Sequence, residues 1–375
     1  MAPASIYVTQ PFLPPLEDFL PHLEKIWASR ILTNGGPFHE QLEAELAKFL
    51  GVPHVSLFAN GTLALMTALQ AFGITGEVIT TPFTFSATAH AMLWNGIVPV
   101  FVDIEPDTCN LDSSRIEAAI TPSTQAIMPV HCYGNPCDIH GIEAVARRHN
   151  LHVIYDAAHA FGVTHEGVSL TRAGDAAVLS FHATKIFNTF EGGAIVSHDP
   201  EIKRRIDSLK NFGFSDEVTV VEAGINGKMN EFQAALGLVQ LPHVGPIIRR
   251  RGAIAARYRA ALANVEGIRP IETPVGTSGN FTYFPVLVEP GYPLDRSGLY
   301  ERLRDGQIYS RRYFYPLVSN MPMYKHLVSA APERLPVATR IAERILCLPI
   351  YPALADADVD RICSIISSPS SRNTP

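Results

Sequence analysis

Short apolar segments alternate with longer amphipathic segments between about residues 50 and 197 of the chain. The short segments are rich in Val and Ile, and most are continuously apolar, as in strands that are buried on both faces of a sheet. They span residues 54–58, 77–80, 98–102, 126–130, 152–155, 177–181 and 194–197. The helical patterns between them span residues 62–72, 86–94, 113–120 and 139–150. This alternation predicts an α/β fold with a mainly parallel sheet and helices on both sides.

The pattern changes after residue 201. The elements predicted there are a long helix over 245–265, strands over 280–288 and 307–312, and helices over 294–304 and 338–344. We therefore predict a large domain over residues 1–245, with about the first 30 residues as an arm, and a small C-terminal α+β domain over 246–366. Residues 367–375 are rich in Ser and Pro, and we expect them to be a disordered tail.

Composition narrows the possible classes of function. The chain of 375 residues has 30 Lys and Arg against 36 Asp and Glu, so it has no basic excess with which to neutralise a nucleic-acid backbone. No stretch reaches the ~18 apolar residues of a membrane helix, and the first 15 residues lack the pattern of a signal peptide. Five cysteines are an odd number and form no disulfide framework. We expect a cytoplasmic protein that binds neither nucleic acid nor membranes.

Three short motifs follow predicted strands. The first is Asn60-Gly61-Thr62, which opens an amphipathic helix. A helix N-terminus offers free N–H groups and a partial positive charge, which suit a phosphate group. The tripeptide alone is also typical of an ordinary helix cap.

The second motif is Asp156-Ala157-Ala158-His159, at the carboxyl end of the strand predicted over 152–155. Ligands of open α/β sheets bind outside such strand ends. A carboxylate there is able to pair with a cationic ring nitrogen, and the histidine is placed to reach another polar atom of the same ligand. A helix cap followed by a structural histidine is the competing interpretation.

The third motif runs from Ser180 through Lys185 to Glu191-Gly192-Gly193. Lys185 lies in a locally uncharged stretch, and desolvation lowers the pKa of a lysine, as a nucleophilic amine requires. A surface lysine is the alternative. Taken together and in this order, the three motifs are the parts of a pyridoxal 5′-phosphate site, with Phe85 as a ring that could stack on the cofactor or belong to the core.

Other signals are weaker. His131, Cys132, Cys137 and His140 are potential zinc ligands, but their spacing fits no familiar zinc module, so we predict no metal site. No G-x-G-x-x-G motif follows a strand, which leaves a dinucleotide cofactor without support.

The motif set resembles that of the sugar aminotransferase family of the DegT/StrS type, which has the fold type I of pyridoxal-phosphate-dependent transferases. The similarity extends from Thr33-Asn34-Gly35-Gly36 to at least Tyr324 and includes Thr84-Phe85-Ser86-Ala87-Thr88-Ala89. It implies a large domain with a mainly parallel mixed sheet and a small C-terminal α+β domain.

The resemblance also implies roles for single residues. Gly61, Thr62 and Ser180 would contact the cofactor phosphate, and Phe85 would stack on the ring. Asp156 would pair with the ring nitrogen, His159, where the family usually has Gln, would meet the ring hydroxyl, and Lys185 would bind the aldehyde and move protons. Asn226 matches a residue that reaches the phosphate from the other subunit, which implies a homodimer with shared active sites. Lys228 stands where Arg is commoner in the family.

Three segments are most similar to family members that aminate C4 of a dTDP-linked 4-keto-6-deoxy-glucose; they span residues 11–15, 182–188 and 312–317. This similarity implies L-glutamate as amino donor, a nucleotide-linked keto-sugar as acceptor, pyridoxamine 5′-phosphate during turnover, and a product for O-antigen lipopolysaccharide, another cell-surface polysaccharide or a glycoside. Asn34, His182, Tyr313 and Tyr315 are the substrate residues that we predict. The alternatives are amination at C3, dehydration of a sugar, and a non-catalytic cofactor-binding regulator.

Overall fold

The computed structural model describes residues 5–368. Its α-helices are α1 (Leu16–Ser29), α2 (Pro37–Leu50), α3 (Gly61–Ala71), α4 (Ala87–Trp94), α5 (Ile139–His149), α6 (Pro200–Leu209), α7 (Glu231–Gln240), α8 (Val244–Leu262), α9 (Arg296–Asp305), α10 (Pro336–Arg344) and α11 (Asp356–Ser367). Its strands are β1 (Ile6–Tyr7), β2 (His54–Phe58), β3 (Glu77–Thr80), β4 (Val98–Phe101), β5 (Thr124–Met128), β6 (His152–Asp156), β7 (Thr164–His165), β8 (Val168–Ser169), β9 (Ala176–Ser180), β10 (Gly193–Ser197), β11 (Ile268–Pro270), β12 (Thr277–Ser278), β13 (Phe284–Val288), β14 (Ile308–Tyr309) and β15 (Ile345–Leu348).

The largest sheet has seven strands in the order β2-β10-β9-β6-β5-β3-β4. Strand β10 is antiparallel to both of its neighbours, and the other pairs are parallel. Apolar side chains from both faces of these strands are buried under helices, which explains their continuous apolar character. The predicted α/β fold with a mainly parallel mixed sheet is confirmed. The carboxyl ends of β3, β5, β6 and β9 meet along one edge of this sheet, and the first residues of α3 lie beside that edge.

Most of the predicted strands of this sheet agree with the structure to within one residue, but β5 begins and ends two residues earlier than predicted. Pro129 explains the end of β5, because proline has no N–H group to donate to a ladder. Its carbonyl still accepts a hydrogen bond from Asp156 N at 2.9 Å. The helix predicted over 113–120 was wrong as an α-helix: two 3₁₀ turns, Ser113–Arg115 and Glu117–Ala119, occupy the segment. The chain is already extended at Ile120 (ψ 132°), ahead of Pro122, whose ring disfavours helical backbone in the residue before it.

The C-terminal part of the chain forms a second layer of strands and helices. Strands β11, β13 and β15 form an antiparallel sheet, on which α8, α9 and α11 build a separate apolar core that includes Tyr258. The predicted strand over 280–288 begins only at Phe284, because Asn280 bonds the loop carbonyls of His159 and Phe161 and Phe281 has a left-handed backbone (φ 54°). A domain boundary between residues 245 and 246 stays a prediction.

The N-terminal segment contacts both layers. Strand β1 pairs in parallel with β14, which is shorter than the strand predicted over 307–312, and α1 packs against α7. The carbonyl of Phe12 accepts hydrogen bonds from Asn188 and Gln240. Of the predicted disordered tail over residues 367–375, Ser367 ends α11, and the part from residue 369 onward lies outside the described residues. None of the helices in residues 5–368 combines the length and the apolar character that a membrane span requires.

Candidate active site

A cleft of about 630 Å³ opens at the carboxyl edge of the large sheet, within the size range of small-molecule sites. It joins the start of α3, the β3–α4 loop, the end of β6 and the β9–β10 loop with residues of the C-terminal layer. The sequence-predicted residues that line it are Gly61, Thr62, Phe85, Asp156, His159, Ser180, His182, Lys185 and Tyr313.

One end of the cleft is built around the N-terminus of α3. Asn60 caps this helix by accepting a hydrogen bond from Leu63 N at 2.9 Å, which leaves the first N–H groups of the helix directed outward. A Cβ added at Gly61 would lie 3.1 Å from Ser180 Cβ, and one at Gly193 would lie 2.7 Å from Gly61 N. The two glycines therefore allow α3, β9 and β10 to approach closely around a polar cradle that Thr62 and Ser180 line. Such a cradle suits a phosphate.

Asp156 is 5% exposed at the end of β6. Its Oδ2 accepts a hydrogen bond from Thr88 Oγ1 at 2.8 Å, and its Oδ1 accepts one from Ala158 N at 3.1 Å. Burial raises the pKa of Asp156, while these hydrogen bonds and the charge of Lys185 act in the opposite direction. No basic side chain within residues 5–368 forms an ion pair with this carboxylate. It is therefore fixed in position and able to form an ion pair with a protonated ring nitrogen.

His159 is 4% exposed and stacks on Phe314, with 5.9 Å between ring centroids. Its Nδ1 accepts a hydrogen bond from Tyr133 N at 3.3 Å. Burial, and then the charge of Lys185, hold the pKa of His159 well below its usual value, so the ring is neutral. Since Nδ1 is an acceptor, the proton of the neutral ring is on Nε2. His159 thus has one N–H donor available to an oxygen in the cleft.

Lys185 lies in the loop between β9 and β10, and its backbone N–H donates to His182 O at 2.9 Å. Its Nζ is 5.8 Å from the ring centroid of Tyr283, which belongs to the C-terminal layer. The residue is partly exposed at the cleft, but its amine is surrounded by protein, and this burial lowers the pKa of Lys185 to about 8 although Asp156 opposes the shift. About a tenth of the amine is therefore neutral and nucleophilic at pH 7, far more than for an ordinary lysine.

His182 and Glu191 form a polar pair at the cleft mouth. The imidazole Nδ1 accepts a hydrogen bond from Thr184 N at 3.2 Å, and Nε2 is 3.6 Å from Glu191 Oε1. Both side chains are exposed. Tyr313 lines the opposite wall, where its carbonyl accepts a hydrogen bond from the Tyr133 hydroxyl. These groups are able to contact the hydroxyls of a sugar.

Three predicted site residues lie outside the cleft. Asn34 is exposed in the loop before α2 and has a left-handed backbone (φ 65°). Asn226 is exposed and forms an antiparallel bridge with Asn211. Tyr315 is 47% exposed and lies under the guanidinium of Arg296. A contribution of Asn226 to the site therefore requires a second subunit, and this role stays a prediction.

The structure adds residues to the site that the sequence analysis did not single out. Thr88 is fully buried in the first turn of α4 and binds Asp156; it belongs to a quoted motif, but its spacing gave no sign of this contact. Tyr283 and Phe314 reach the cleft from the C-terminal layer. Tyr283 is far from the other site residues in sequence, and no local pattern predicts its contact. Phe314 directly follows the predicted residue Tyr313, but nothing in the segment indicates that its ring also reaches the cleft.

The residues present fit pyridoxal 5′-phosphate. The cradle kept open by Gly61 suits its phosphate, the buried carboxylate of Asp156 suits its ring nitrogen, and the amine of Lys185 suits its aldehyde. The exposed ring of Phe85, at 60%, is free to stack on a cofactor ring.

The candidate zinc ligands are engaged otherwise. His131 Nδ1 accepts a hydrogen bond from Cys137 N at 3.1 Å, and Cys137 Sγ donates to Val130 O at 3.1 Å. Within residues 5–368, no group of three or more His, Cys, Asp or Glu side chains is arranged to hold a metal ion.

Comparison with known proteins gives consistent matches. The sequence profile of the DegT/DnrJ/EryC1/StrS aminotransferase family matches residues 16–367. A dTDP-4-amino-4,6-dideoxy-D-glucose transaminase from Escherichia coli is 52% identical over 96% of this chain and 98% of its own length, and one from Shigella dysenteriae is 52% identical over 96% and 98%. The crystal structure of DesI, determined in the presence of its TDP-sugar product, superimposes with a TM-score of 0.93 at 36% identity, over 97% of this chain and 92% of DesI.

Proposed function

This chain belongs to the DegT/DnrJ/EryC1/StrS aminotransferase family, and we propose that it transfers the amino group of L-glutamate to a nucleotide-linked 4-keto-6-deoxy sugar. The specific reaction that we propose converts dTDP-4-keto-6-deoxy-D-glucose into dTDP-4-amino-4,6-dideoxy-D-glucose. The activity named for the Escherichia coli relative supports this choice. The observation that carries the reaction type is the amine of Lys185, held with a lowered pKa in the cleft that also contains the carboxylate of Asp156.

The family depends on pyridoxal 5′-phosphate, which supplies an aldehyde and an electron-accepting ring when it is bound. In our proposal, Gly61, Thr62 and Ser180 hold the phosphate, and the exposed ring of Phe85 covers the cofactor ring. Asp156 holds a proton on the ring nitrogen. Thr88 and the N–H group of Ala158 keep that carboxylate in place and ionised.

Proton transfer falls to Lys185. Its Nζ removes the α-proton of L-glutamate and, in the second half of the reaction, delivers a proton to the sugar carbon that receives the amino group. A pKa of about 8 suits both directions, because the amine is then able to give and take a proton near neutral pH. The Nε2–H of His159 donates to the hydroxyl oxygen of the cofactor ring. His182, paired with Glu191, and Tyr313 bind the sugar.

The experiment that tests the reaction type uses the purified protein loaded with pyridoxal 5′-phosphate. L-glutamate is added without any sugar, and the absorbance of the bound cofactor and the 2-oxoglutarate released are measured. We expect loss of the visible band with one equivalent of 2-oxoglutarate, as the cofactor becomes pyridoxamine 5′-phosphate. A band that is stable to L-glutamate would contradict the proposed donor, and D-glutamate serves as the matched control.

A second experiment tests the acceptor. The protein that carries pyridoxamine 5′-phosphate is mixed with 4-keto and with 3-keto dTDP-6-deoxy-hexoses, and the products are identified by NMR. Amination at C4 supports the proposal, whereas amination at C3, as named for a relative that is 34% identical, or release of water from the sugar would replace it. Binding of the cofactor without any turnover would favour a regulator. We propose that the product enters a cell-surface polysaccharide, such as the O-antigen, or a glycoside.

We further propose that the protein acts as a homodimer with shared active sites. Large apolar side chains are exposed on the protomer, among them Trp27 at 72%, Phe85 at 60% and Trp94 at 79%, and they are candidates for contact with a second subunit. In the dimer, Asn226 of one protomer would reach the phosphate cradle of its partner. Sedimentation analysis, together with cofactor affinity of an Asn226→Ala variant mixed with a Lys185→Ala variant, tests both claims.

A further inference from the structure

Two arginines that lie against Tyr315, close in sequence to the cleft residue Tyr313, form no ion pair within residues 5–368. Arg296 is the first residue of α9 and is 5% exposed, yet its Nε and Nη1 atoms are buried without a hydrogen-bond partner. Arg312 directly precedes the cleft residue Tyr313. Within residues 5–368, neither guanidinium forms an ion pair with a carboxylate. A buried guanidinium with unmade hydrogen bonds is costly, so this arrangement indicates a missing acceptor.

The two cations are also brought close together. The guanidinium carbon of Arg296 is 4.4 Å from the ring centroid of Tyr315, and that of Arg312 is 5.7 Å from the same ring. Arg312 lies 4.7 Å from the ring of Tyr300 as well. The tyrosine rings hold the two guanidiniums in position, as planar cations on aromatic faces.

The charged groups near Arg296 do not neutralise the two arginines. Burial, and then the charge of Arg312, lower the pKa of Arg296, while Tyr315, Asp295 and Glu343 act weakly in the opposite direction. The Asp295 carboxylate is already used, since it caps α9 by accepting a hydrogen bond from Gly298 N at 2.6 Å. The N-terminus of α9 adds a partial positive charge at the same place. The site therefore combines two fixed cations and a helix end, and its electrostatics favour an anion with several oxygens.

We infer that Arg296 and Arg312 bind the diphosphate of the nucleotide-linked sugar, an inference that rests on the proposed function. C4 and the diphosphate-bearing C1 lie on opposite sides of a pyranose ring. With C4 at Lys185, the diphosphate points away from the cofactor, towards the mouth of the cleft. Both guanidiniums lie against Tyr315, two residues after the cleft residue Tyr313, and in our inference they meet the diphosphate on that side. They are binding residues that act at a distance from the reacting carbon.

Titration calorimetry with the cofactor-loaded protein tests this inference without turnover. The probes are thymidine 5′-diphosphate, thymidine and inorganic pyrophosphate. We expect Arg312→Gln and Arg296→Met to weaken the binding of thymidine 5′-diphosphate by about tenfold to a hundredfold, because charge-assisted hydrogen bonds are lost, and to leave thymidine binding unchanged. Arg296→Lys should restore part of the affinity. Arg147→Gln is the matched control, since this exposed arginine of α5 pairs only with Glu143 and lies outside the cleft.

Several results would overturn the inference. The inference fails if both variants bind thymidine 5′-diphosphate with an affinity within twofold of that of the unaltered protein. It also fails if the variants lose equal affinity for thymidine and for thymidine 5′-diphosphate. Tight binding of pyrophosphate that does not compete with thymidine 5′-diphosphate would mean that the arginines hold a free anion. A change of oligomeric state without a change of affinity would mean that they pair with a partner carboxylate. Arg312 is half-buried, so its variant keeps the test decisive if Arg296→Met fails to fold. The reaction of the unaltered protein with L-glutamate tests the proposed function separately.

Discussion

Replacement of Thr88 by Val removes one hydroxyl group that binds the carboxylate of Asp156. Thr88 is fully buried, and its Oγ1 donates to Asp156 Oδ2 at 2.8 Å. Valine has the same branched shape, so the packing of α4 should survive. The hydrogen bond to Asp156 is lost, together with the 2.8 Å hydrogen bond between the hydroxyls of Thr88 and Thr84. Thr88→Ser is the matched control, because it keeps the hydroxyl and deletes only a methyl group.

The size of the effect follows from the burial of the acceptor. A hydrogen bond to a charged group contributes about 1.5–3 kcal/mol, and at 5% exposure solvent water cannot replace the lost donor on Asp156. Burial already raises the pKa of Asp156, and the Thr88 bond is the first influence that opposes it. Its loss should therefore raise that pKa further. The weakened carboxylate should lower the affinity for pyridoxal 5′-phosphate by roughly tenfold to a hundredfold.

The assay is an absorbance titration of the cofactor-free protein with pyridoxal 5′-phosphate at a series of pH values. Affinity falls at acid pH as Asp156 becomes protonated, because a neutral carboxyl cannot stabilise a protonated ring nitrogen. In Thr88→Val this fall should occur at a higher pH than in the unaltered protein or in Thr88→Ser. The reasoning is refuted if the Val and Ser variants show the same affinity and the same pH profile while both keep the native melting temperature.

Three further predictions concern the same cleft. Lys185→Ala should abolish turnover and the covalent retention of cofactor after borohydride reduction, measured by mass; retention of cofactor mass would exclude Lys185 as the attachment point. In the unaltered protein the rate of attachment should rise with pH and level off above about 8, since only the neutral amine attacks an aldehyde, and a flat stopped-flow profile would contradict the lowered pKa. Asp156→Asn should leave the circular dichroism spectrum unchanged and slow the half-reaction with L-glutamate by about 10²–10³-fold, and a near-normal rate would count against its role.

Local patterns were sufficient for the parts of the fold and site that depend on neighbouring residues. The apolar strands β2, β3 and β6 begin where the sequence predicts, because a strand buried on both faces has to be continuously apolar. The residues predicted to bind the cofactor within one protomer all line one cleft, since each lies at a strand end or helix start of the same sheet.

Contacts between distant segments could not be predicted in this way. The link between Thr88 and Asp156 joins residues 68 positions apart, and it depends on how α4 turns its buried face towards β6. The approach of Tyr283 to Lys185 depends on how the C-terminal layer packs on the large sheet. The pairing of Arg296 with Arg312 is of the same kind, because each arginine alone has the sequence context of an exposed helix or loop residue.

The burial that creates the site also makes it unfavourable without a ligand. The raised pKa of Asp156 means that the ionised form destabilises the fold, and this cost appears as pH rises above the ordinary carboxyl range. The lowered pKa of Lys185, from 10.5 to about 8, means that the charged form is also disfavoured, with the full cost present below about pH 8. Near neutral pH the charged forms of both side chains are therefore present in spite of the free-energy cost of their desolvation. A ligand with a cationic ring nitrogen and an aldehyde relieves both costs. It gives Asp156 a counter-charge, and its aldehyde binds the amine of Lys185 covalently. The burial that destabilises the protein without its ligand thus also favours the binding of a ligand with these two groups.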